Sequence, residues 1–278
     1  MKLDGGSMFG NAPKALWTSW MPADDQNMID IASKSLLVQT PNHTILFETG
    51  AGAYLSPEMK QRFHIIDSHH VLLDGLAQEG LTHTDISHVV LSHLHFDHAG
   101  GLLSEWSTTQ PTPELLFPNA RFIVGETHFK RAVSPHFRDR ASFIPQLPEM
   151  LEGTGRLDLQ QEDSRLNLDG VEITFFESHG HTPGMLISWI RIKDRTFIYT
   201  GDLIPGHSWI NLPITMGFDR FPEALINEKK QLLDQAMDAG AQLIFPHDPQ
   251  FDVSGLKVDT KKKRIMPADK VTGFHLTL

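Results

Sequence analysis

The sequence contains no cysteine, only two tyrosines, and fewer basic than acidic residues. The absence of cysteine excludes disulfide bonds and thiolate-ligated metals, so a metal ion would have to be bound by His, Asp or Glu. The 24 Lys and Arg against 34 Asp and Glu give a formal net charge of −10, which argues against nucleic acid as a partner. No apolar run is long enough to span a bilayer, and no secretory signal is visible at the N-terminus, so we expect a cytoplasmic protein with no membrane partner.

The composition is that of a globular protein, with 40% hydrophobic and 21% charged residues in 278. A chain of this length can bury a substantial core. We find neither an internal repeat nor a convincing domain boundary. The sequence therefore predicts a single domain over residues 1–278, with an irregular N-terminal arm at about residues 1–33.

Four candidate metal ligands stand within six residues of one predicted loop, namely His93, His95, Asp97 and His98. The β-branched, apolar residues 86–91 before them are typical of a buried strand, so the loop lies at the strand's C-terminal end. In an extended segment, positions two apart share a face, so His93 and His95 can converge on one ion. After a bend, Asp97 and His98 can point to a second ion. Imidazoles with a carboxylate suit zinc, iron, manganese or cobalt in a hydrolytic site.

Three further predicted strands end in single candidate ligands. Residues 171–177 lead to His181, residues 196–200 lead to Asp202, and residues 242–245 lead to His247. A helix is predicted from about Pro222 to Ala239. We interpret His69, His70 and His128 as surface residues, and the basic residues 261–264 as a solvated hairpin turn.

The pattern H-x-H-x-D-H, followed by a later His, Asp and His, resembles that of the metallo-β-lactamase-fold hydrolase superfamily. Within it, the chain is most similar to the branch of N-acyl-homoserine lactonases (quorum-quenching enzymes) and methyl parathion hydrolase. This closer similarity is carried by residues 3–6, 8–10, 13–14 and 16–17 of the arm, and by residues 201–205 and 247–249. The resemblance implies an α/β fold (α+β in some schemes), an αβ/βα sandwich of two mixed sheets flanked by helices. It also implies a dinuclear metal site at one edge.

The resemblance implies a role for each ligand. The first ion would be bound by His93, His95 and His181, the second by Asp97, His98 and His247, and Asp202 would bridge them. Zinc is expected first, with iron, manganese or cobalt as alternatives. A hydroxide shared by the two ions would attack a carbonyl or phosphoryl centre, with Asp97 assisting proton transfer.

The chain departs from the family pattern at two positions. Pro205 stands where some acyl-homoserine lactonases have a tyrosine that bonds the substrate, so His207 or water becomes the candidate donor. Glu48 stands where an aspartate commonly orients the ligands. The candidate apolar pocket residues, for each of which core packing is the rival interpretation, are Met8, Phe9, Trp20, Trp209, Met216 and Phe218.

The leading hypothesis is a lactonase that opens acyl-homoserine or related lactones. The nearest alternative is an organophosphate or aryl-ester hydrolase that uses the same two ions. A metal-binding protein without catalysis is the alternative from a different class. The expected partner is a small ester or lactone, and the branch that the chain resembles also suggests a homodimer.

Overall fold

Runs of β-branched and aromatic residues form the strands of two larger sheets, as a computed structural model shows. The structure describes residues 1–110, 112–261 and 263–276; Pro111 and Lys262, the latter in the predicted basic turn, lie outside the described residues. The strands are β1 (Lys2–Asp4), β2 (Met28–Asp30), β3 (Leu36–Gln39), β4 (Thr44–Phe47), β5 (His88–Val90), β6 (Arg121–Gly125), β7 (Leu157–Gln160), β8 (Arg165–Leu168), β9 (Val171–Ser178), β10 (Met185–Ile192), β11 (Arg195–Tyr199), β12 (Gln242–Ile244), β13 (Val253–Asp259) and β14 (Arg264–Val271). The α-helices are α1 (Gly5–Phe9), α2 (Lys14–Trp17), α3 (Pro57–Arg62), α4 (Val71–Gln78), α5 (Phe96–Ala99), α6 (Glu126–Val133), α7 (Leu147–Gly153) and α8 (Pro222–Asp238).

The chain divides into two compact units. The first unit contains Met1 and Ser33–Gln161, and the second contains Lys2–Ala32 and Glu162–Leu278. The prediction of one domain over residues 1–278 stays a prediction. No helix within the described parts of the chain combines the length and the apolar character needed to cross a membrane.

The sheet of the first unit has the strand order β3-β4-β5-β6-β7 and is mixed. Strands β3 and β4 pair antiparallel as a hairpin, while β4, β5, β6 and β7 pair in parallel. Parallel strands are covered on both faces, which explains the continuous apolar run Phe122–Val124, fully buried in β6. The C-terminal end of β5 leads into the histidine-rich loop.

The sheet of the second unit has the order β14-β13-β12-β11-β10-β9-β8, and β11 and β12 are its one parallel pair among the described strands. The predicted helix is confirmed as α8. Pro222 suits its first turn because a helix start needs no N–H donor there. Its buried face includes Leu225, Leu232 and Ala236.

The N-terminal arm, predicted to be irregular, contains regular structure. Strands β1 and β2 pair antiparallel, and the Asp4 carboxylate caps α1 by accepting a hydrogen bond from the Ser7 N–H at 2.7 Å. Sequence reasoning missed these elements because each is only three to five residues long, too short to show a period.

Candidate metal centre

The histidine-rich loop of the first unit brings its four candidate ligands together. The His93 Nε2 lies 3.0 Å from the His95 Nδ1, and the ring centroids of His93 and His98 are 4.0 Å apart. The His98 Nε2 lies 3.8 Å from an Asp97 carboxylate oxygen. The three histidines are buried, whereas the Asp97 side chain is 17% exposed. Asp97 is therefore the member of this set that solvent reaches most easily.

The Glu48 carboxylate contacts the histidine-rich loop at two points. The family resemblance implies that a carboxylate at this position orients the metal ligands. One Glu48 carboxylate oxygen accepts the Ser92 N–H at 2.6 Å, and the other lies 3.2 Å from the His98 Nδ1. The backbone of Glu48 has a φ of 62°, a left-handed conformation that costs energy for a residue with a side chain. In this conformation the Glu48 carboxylate lies beneath the loop, where it fixes the orientation of the His98 ring.

The segment after Glu48 braces the end of the loop through backbone contacts. The Thr49 N–H and hydroxyl both donate to the His98 carbonyl, and the Gly101 N–H donates to the Gly50 carbonyl, each at 2.9 Å. A Cβ atom at Gly101 would lie 2.0 Å from the Thr49 carbonyl oxygen. The two segments approach so closely that Gly101 cannot carry a side chain without displacing the backbone.

Two histidines that the sequence placed at the surface are buried against this loop, so those predictions were wrong. His128 is fully buried, and its Nε2 accepts the Leu94 N–H at 2.8 Å. His70 is 5% exposed, and its Nε2 lies 3.0 Å from the Gly101 carbonyl oxygen. Burial lowers the pKa of His70, which favours the neutral ring that donates to this carbonyl. Their partners are backbone groups more than 30 positions away, and no local pattern signals such contacts.

Asp202 organises the candidate ligands of the second unit. One of its carboxylate oxygens lies 3.3 Å from the His181 Nε2, and the other lies 3.1 Å from the His247 Nε2. All three side chains are nearly inaccessible to solvent. Gly201, with a φ of 47°, makes the turn after β11 that presents the carboxylate.

The histidines of the second unit are also held through their Nδ1 atoms. The His181 Nδ1 lies 2.9 Å from an Asp219 carboxylate oxygen, and the His247 Nδ1 lies 2.7 Å from the Ala32 carbonyl oxygen. Burial raises the pKa of Asp219, while the hydrogen bond with His181 opposes the change. Sequence reasoning missed Asp219 because a single acid in a loop carries no signal of a partner 38 residues away.

The donor set fits divalent metal ions. All seven predicted ligands offer an atom that could hold an ion, and none is a thiolate. Four of the histidines contact a polar partner through Nδ1, which leaves Nε2 as the ligand atom; they are His93 with Ser92, His98 with Glu48, His181 with Asp219 and His247 with Ala32. Such outer hydrogen bonds are the usual way in which proteins orient metal-binding imidazoles.

His207 forms a dyad with Asp248. The His207 Nδ1 lies 2.5 Å from an Asp248 oxygen that also accepts the His207 N–H at 2.7 Å, and the other Asp248 oxygen accepts the N–H groups of Gln250 and Phe251. Burial alone would raise the pKa of Asp248, but these hydrogen bonds outweigh it and the pKa is lowered. The ionised carboxylate fixes the ring through Nδ1, so the His207 Nε2 is the atom available for chemistry.

The six candidate pocket residues of the predicted site fall into two groups. Phe9 is stacked between Trp17 and Trp209, with ring centroids 5.4 Å and 4.6 Å away, and the Trp209 indole N–H donates to the Met8 carbonyl at 3.0 Å. Met8, Phe9 and Trp209 are thus buried, like Met216. Trp20 is half-buried and Phe218 is 46% exposed, so solvent reaches these two. Contact of any of them with a substrate stays a prediction.

The two tyrosines lie in different environments. Tyr199 is buried in β11. Tyr54 lies against the histidine-rich loop, because a Cβ atom at Gly100 would be 2.9 Å from its ring. Burial raises the pKa of Tyr54, and the charge of Asp97 raises it further. Tyr54 therefore keeps its phenolic proton and is a donor near Asp97 that sequence reasoning did not single out.

Residues 29–247 match the family model described as the metallo-beta-lactamase superfamily. None of the curated protein sequences matches the chain. Among solved structures, a probable metal-dependent hydrolase from Staphylococcus aureus is 24% identical, with 98% of this chain and 94% of that chain covered and a TM-score of 0.82. AidC, a dizinc quorum-quenching lactonase, is 21% identical, with 100% and 92% covered and a TM-score of 0.74. The hydrolase AbOPH is 16% identical, with 97% and 90% covered and a TM-score of 0.71.

At these identities the structural likeness establishes the fold and nothing finer. The match covers nearly the whole of this chain and of the three neighbours. The family model includes all seven candidate ligands, from His93 to His247.

Proposed function

We propose a dinuclear hydrolase function from the premise that this chain belongs to the metallo-β-lactamase superfamily, whose fold of mixed sheets flanked by helices it has. The predicted fold class is thereby confirmed. Membership of this superfamily supports metal-dependent hydrolysis as the general activity.

The observation that carries the proposal is the geometry of Asp202. Each of its two oxygens lies beside a different histidine, His181 on one side and His247 on the other. This is the arrangement expected of a carboxylate that bridges two cations and relieves their mutual repulsion. We assign the first ion to His93, His95 and His181, and the second to Asp97, His98 and His247. Zinc is the first candidate metal, with iron, manganese and cobalt as alternatives.

When bound, two divalent ions supply an activated water and a polarised carbonyl. The residues of the chain supply the proton transfers. Asp97, the most exposed of the ligands, accepts a proton at its carboxylate, and His207, fixed by Asp248, donates one from Nε2 to the departing alkoxide. Because the five ligand histidines are buried, their rings keep one orientation during these proton transfers.

The substrate that we propose is an acyl-homoserine or related lactone. The fold-level likeness to AidC supports this class, as does the similarity to the lactonase branch in the N-terminal arm and at residues 201–205. One observation favours the organophosphate or aryl-ester alternative. Pro205 cannot act as the donor that bonds the substrate carbonyl in some lactonases, so a feature that would favour a lactone is missing at this position.

The test pairs metal content with turnover in one preparation. Elemental mass spectrometry is expected to give two ions per chain, and the same sample is expected to open a panel of acyl-homoserine lactones. Turnover of phosphotriesters or aryl esters without lactones would select the alternative, and two ions without turnover of any panel would leave a metal-binding protein.

A variant of the bridging aspartate tests whether turnover depends on the bound ions. Asp202→Ala is expected to lower both metal content and activity, the activity by at least about 100-fold. Asp194→Ala, in an exposed turn, serves as the matched control and should behave like the wild type. Full metal content in Asp202→Ala would contradict the bridging role.

A further inference from the structure

Helix α8 carries a lysine that is fully buried. Lys229 is 0% exposed, and its ammonium group donates to the carbonyl oxygens of Trp209 at 3.0 Å, Asn211 at 3.3 Å and Ile214 at 2.5 Å. A lysine ammonium has three N–H donors, and all three are used here. The next residue, Lys230, is exposed and pairs with Asp234 on the same helix.

The buried ammonium is costly. Burial lowers the pKa of Lys229 to about 7, while the negative charge of Asp219 acts in the opposite direction. An apolar side chain of similar volume would avoid the loss of hydration that a buried charge incurs. The charge therefore calls for a role beyond filling space, and its interactions indicate which one.

The three carbonyl groups belong to one segment, which leads directly to Asp219. After Ile214, the Met216 N–H donates to an Asp219 carboxylate oxygen at 2.6 Å, and the Asp219 N–H donates to the Met216 carbonyl at 3.2 Å. The other Asp219 oxygen lies 2.9 Å from the His181 Nδ1. Lys229 thus fixes the segment that places Asp219 beside His181, and it supplies the positive charge that balances this buried carboxylate.

Glu228, the preceding residue of α8, fixes the segment just before His181. The Glu228 carboxylate accepts hydrogen bonds from the Ser178 hydroxyl at 2.7 Å, the His179 N–H at 3.0 Å and the Gly180 N–H at 3.1 Å. Two adjacent residues of one helix therefore fix the loop that carries His181 and the loop that carries its partner.

We infer that Lys229 is a positioning residue for the ligand His181, acting through Asp219 to tighten the binding of one of two metal ions. The inference rests on the proposed function, because it assumes that His181 binds one of two ions and that Asp202 bridges them. It assigns no contact between Lys229 and substrate. Its distinctive consequence is that loss of the lysine weakens one metal site and spares the other.

The experiment compares Lys229→Met with Lys230→Met by competition for zinc with a chromophoric chelator. Lys229→Met is expected to bind one of the two zinc ions about 10-fold more weakly and the other as in the wild type. Lys230→Met, on the adjacent exposed position, is expected to bind both as in the wild type. Equal weakening of both ions, or of neither, would overturn the inference.

The double variant Asp219→Asn/Lys229→Met keeps the inference testable if Lys229→Met alone fails to fold, since no buried charge is then left without its partner. If Lys229 acts through Asp219, the double variant binds zinc as Asp219→Asn does, because the lysine has no further effect once the carboxylate is gone. Weaker binding of zinc by the double variant than by Asp219→Asn would show that Lys229 acts by another route and would overturn the inference. A wild type that binds two ions while the variants show no selective loss contradicts this inference alone. A wild type that binds none contradicts the proposed function.

Discussion

At the scale of single residues, Asp248 determines what His207 can do. A histidine that is held through Nδ1 by an ionised carboxylate keeps its Nε2 in one direction. Asp248 in turn is held by three backbone N–H groups, so the dyad has one fixed geometry. This arrangement gives His207 the features of a proton donor, which the sequence pattern alone did not establish.

The dyad leads to a prediction about leaving groups. His207→Ala is expected to lower kcat for a lactone by about 100-fold, because the departing alkoxide then lacks its proton donor. Hydrolysis of a p-nitrophenyl ester is expected to change little, since nitrophenolate leaves without protonation. Steady-state kinetics on both substrates, with metal content measured in parallel, checks this.

Tyr54→Phe serves as the companion variant, because Tyr54 is the other donor near the loop. A selective loss of lactone turnover in Tyr54→Phe with no loss in His207→Ala would transfer the donor role to the tyrosine.

The ligands could be predicted from the sequence, whereas the residues that orient them mostly could not. His93, His95, Asp97 and His98 are visible because they crowd into one loop, and His181, Asp202 and His247 because each follows a predicted strand. Asp219, Lys229 and His128 act through single contacts with groups far along the chain, and such contacts leave no periodic or local pattern. Glu48 was accessible only through the family resemblance.

At the scale of elements, the residue that precedes α4 links this helix to the histidine-rich loop. His70 occupies the N-cap position of α4, without a side-chain cap, and its ring contacts the Gly101 carbonyl instead. The structure begins the helix at Val71, because the ring of His70 is directed into the core.

This contact predicts a pH dependence of stability. Because burial lowers the pKa of His70, the unfolded chain binds a proton at its ordinary pKa before the folded chain does. Stability is therefore expected to fall as the pH decreases below about 6.5. The variant His70→Gln should lose less stability than the wild type over that range, as measured by urea unfolding from pH 7 to 5.

The exposed neighbour His69 provides the control for this pH series. His69→Gln should follow the wild-type profile, and a His70→Gln profile parallel to that of the wild type would contradict the prediction.

The close approach of Gly101 to the Thr49 carbonyl gives a second prediction at the scale of elements. Gly101→Ala is expected to destabilise the protein by about 1–3 kcal/mol, because the new methyl group meets the Thr49 carbonyl. Gly75→Ala is the matched control. It lies in α4 with open space around it, and alanine is expected to stabilise that helix by about 0.5–1 kcal/mol. Equal free energies of unfolding for the two variants would show that the segments can move apart at little cost.

At the scale of the whole molecule, metal removal is predicted to lower thermal stability. Ligands that bind only the folded chain stabilise it by mass action, by about 4 kcal/mol when an ion is present at 1,000 times its Kd. Treatment with a chelator is therefore expected to lower Tm by about 8–16 °C, as measured by calorimetry.

Addition of zinc should restore Tm, whereas magnesium, which prefers oxygen ligands, should not restore it at the histidine-rich set. An unchanged Tm on chelation would contradict a metal site in the folded chain.

The division of the chain has a consequence for the order of events during synthesis. Residues 2–32 leave the ribosome before Ser33–Gln161, but they belong to the unit that is completed only by Glu162–Leu278. Until Trp209 has been made, Phe9 lacks one of its two stacking partners. The nascent chain therefore carries this aromatic segment without one of its stacking partners until most of the second unit has been synthesised, and an apolar segment in that state is prone to aggregation.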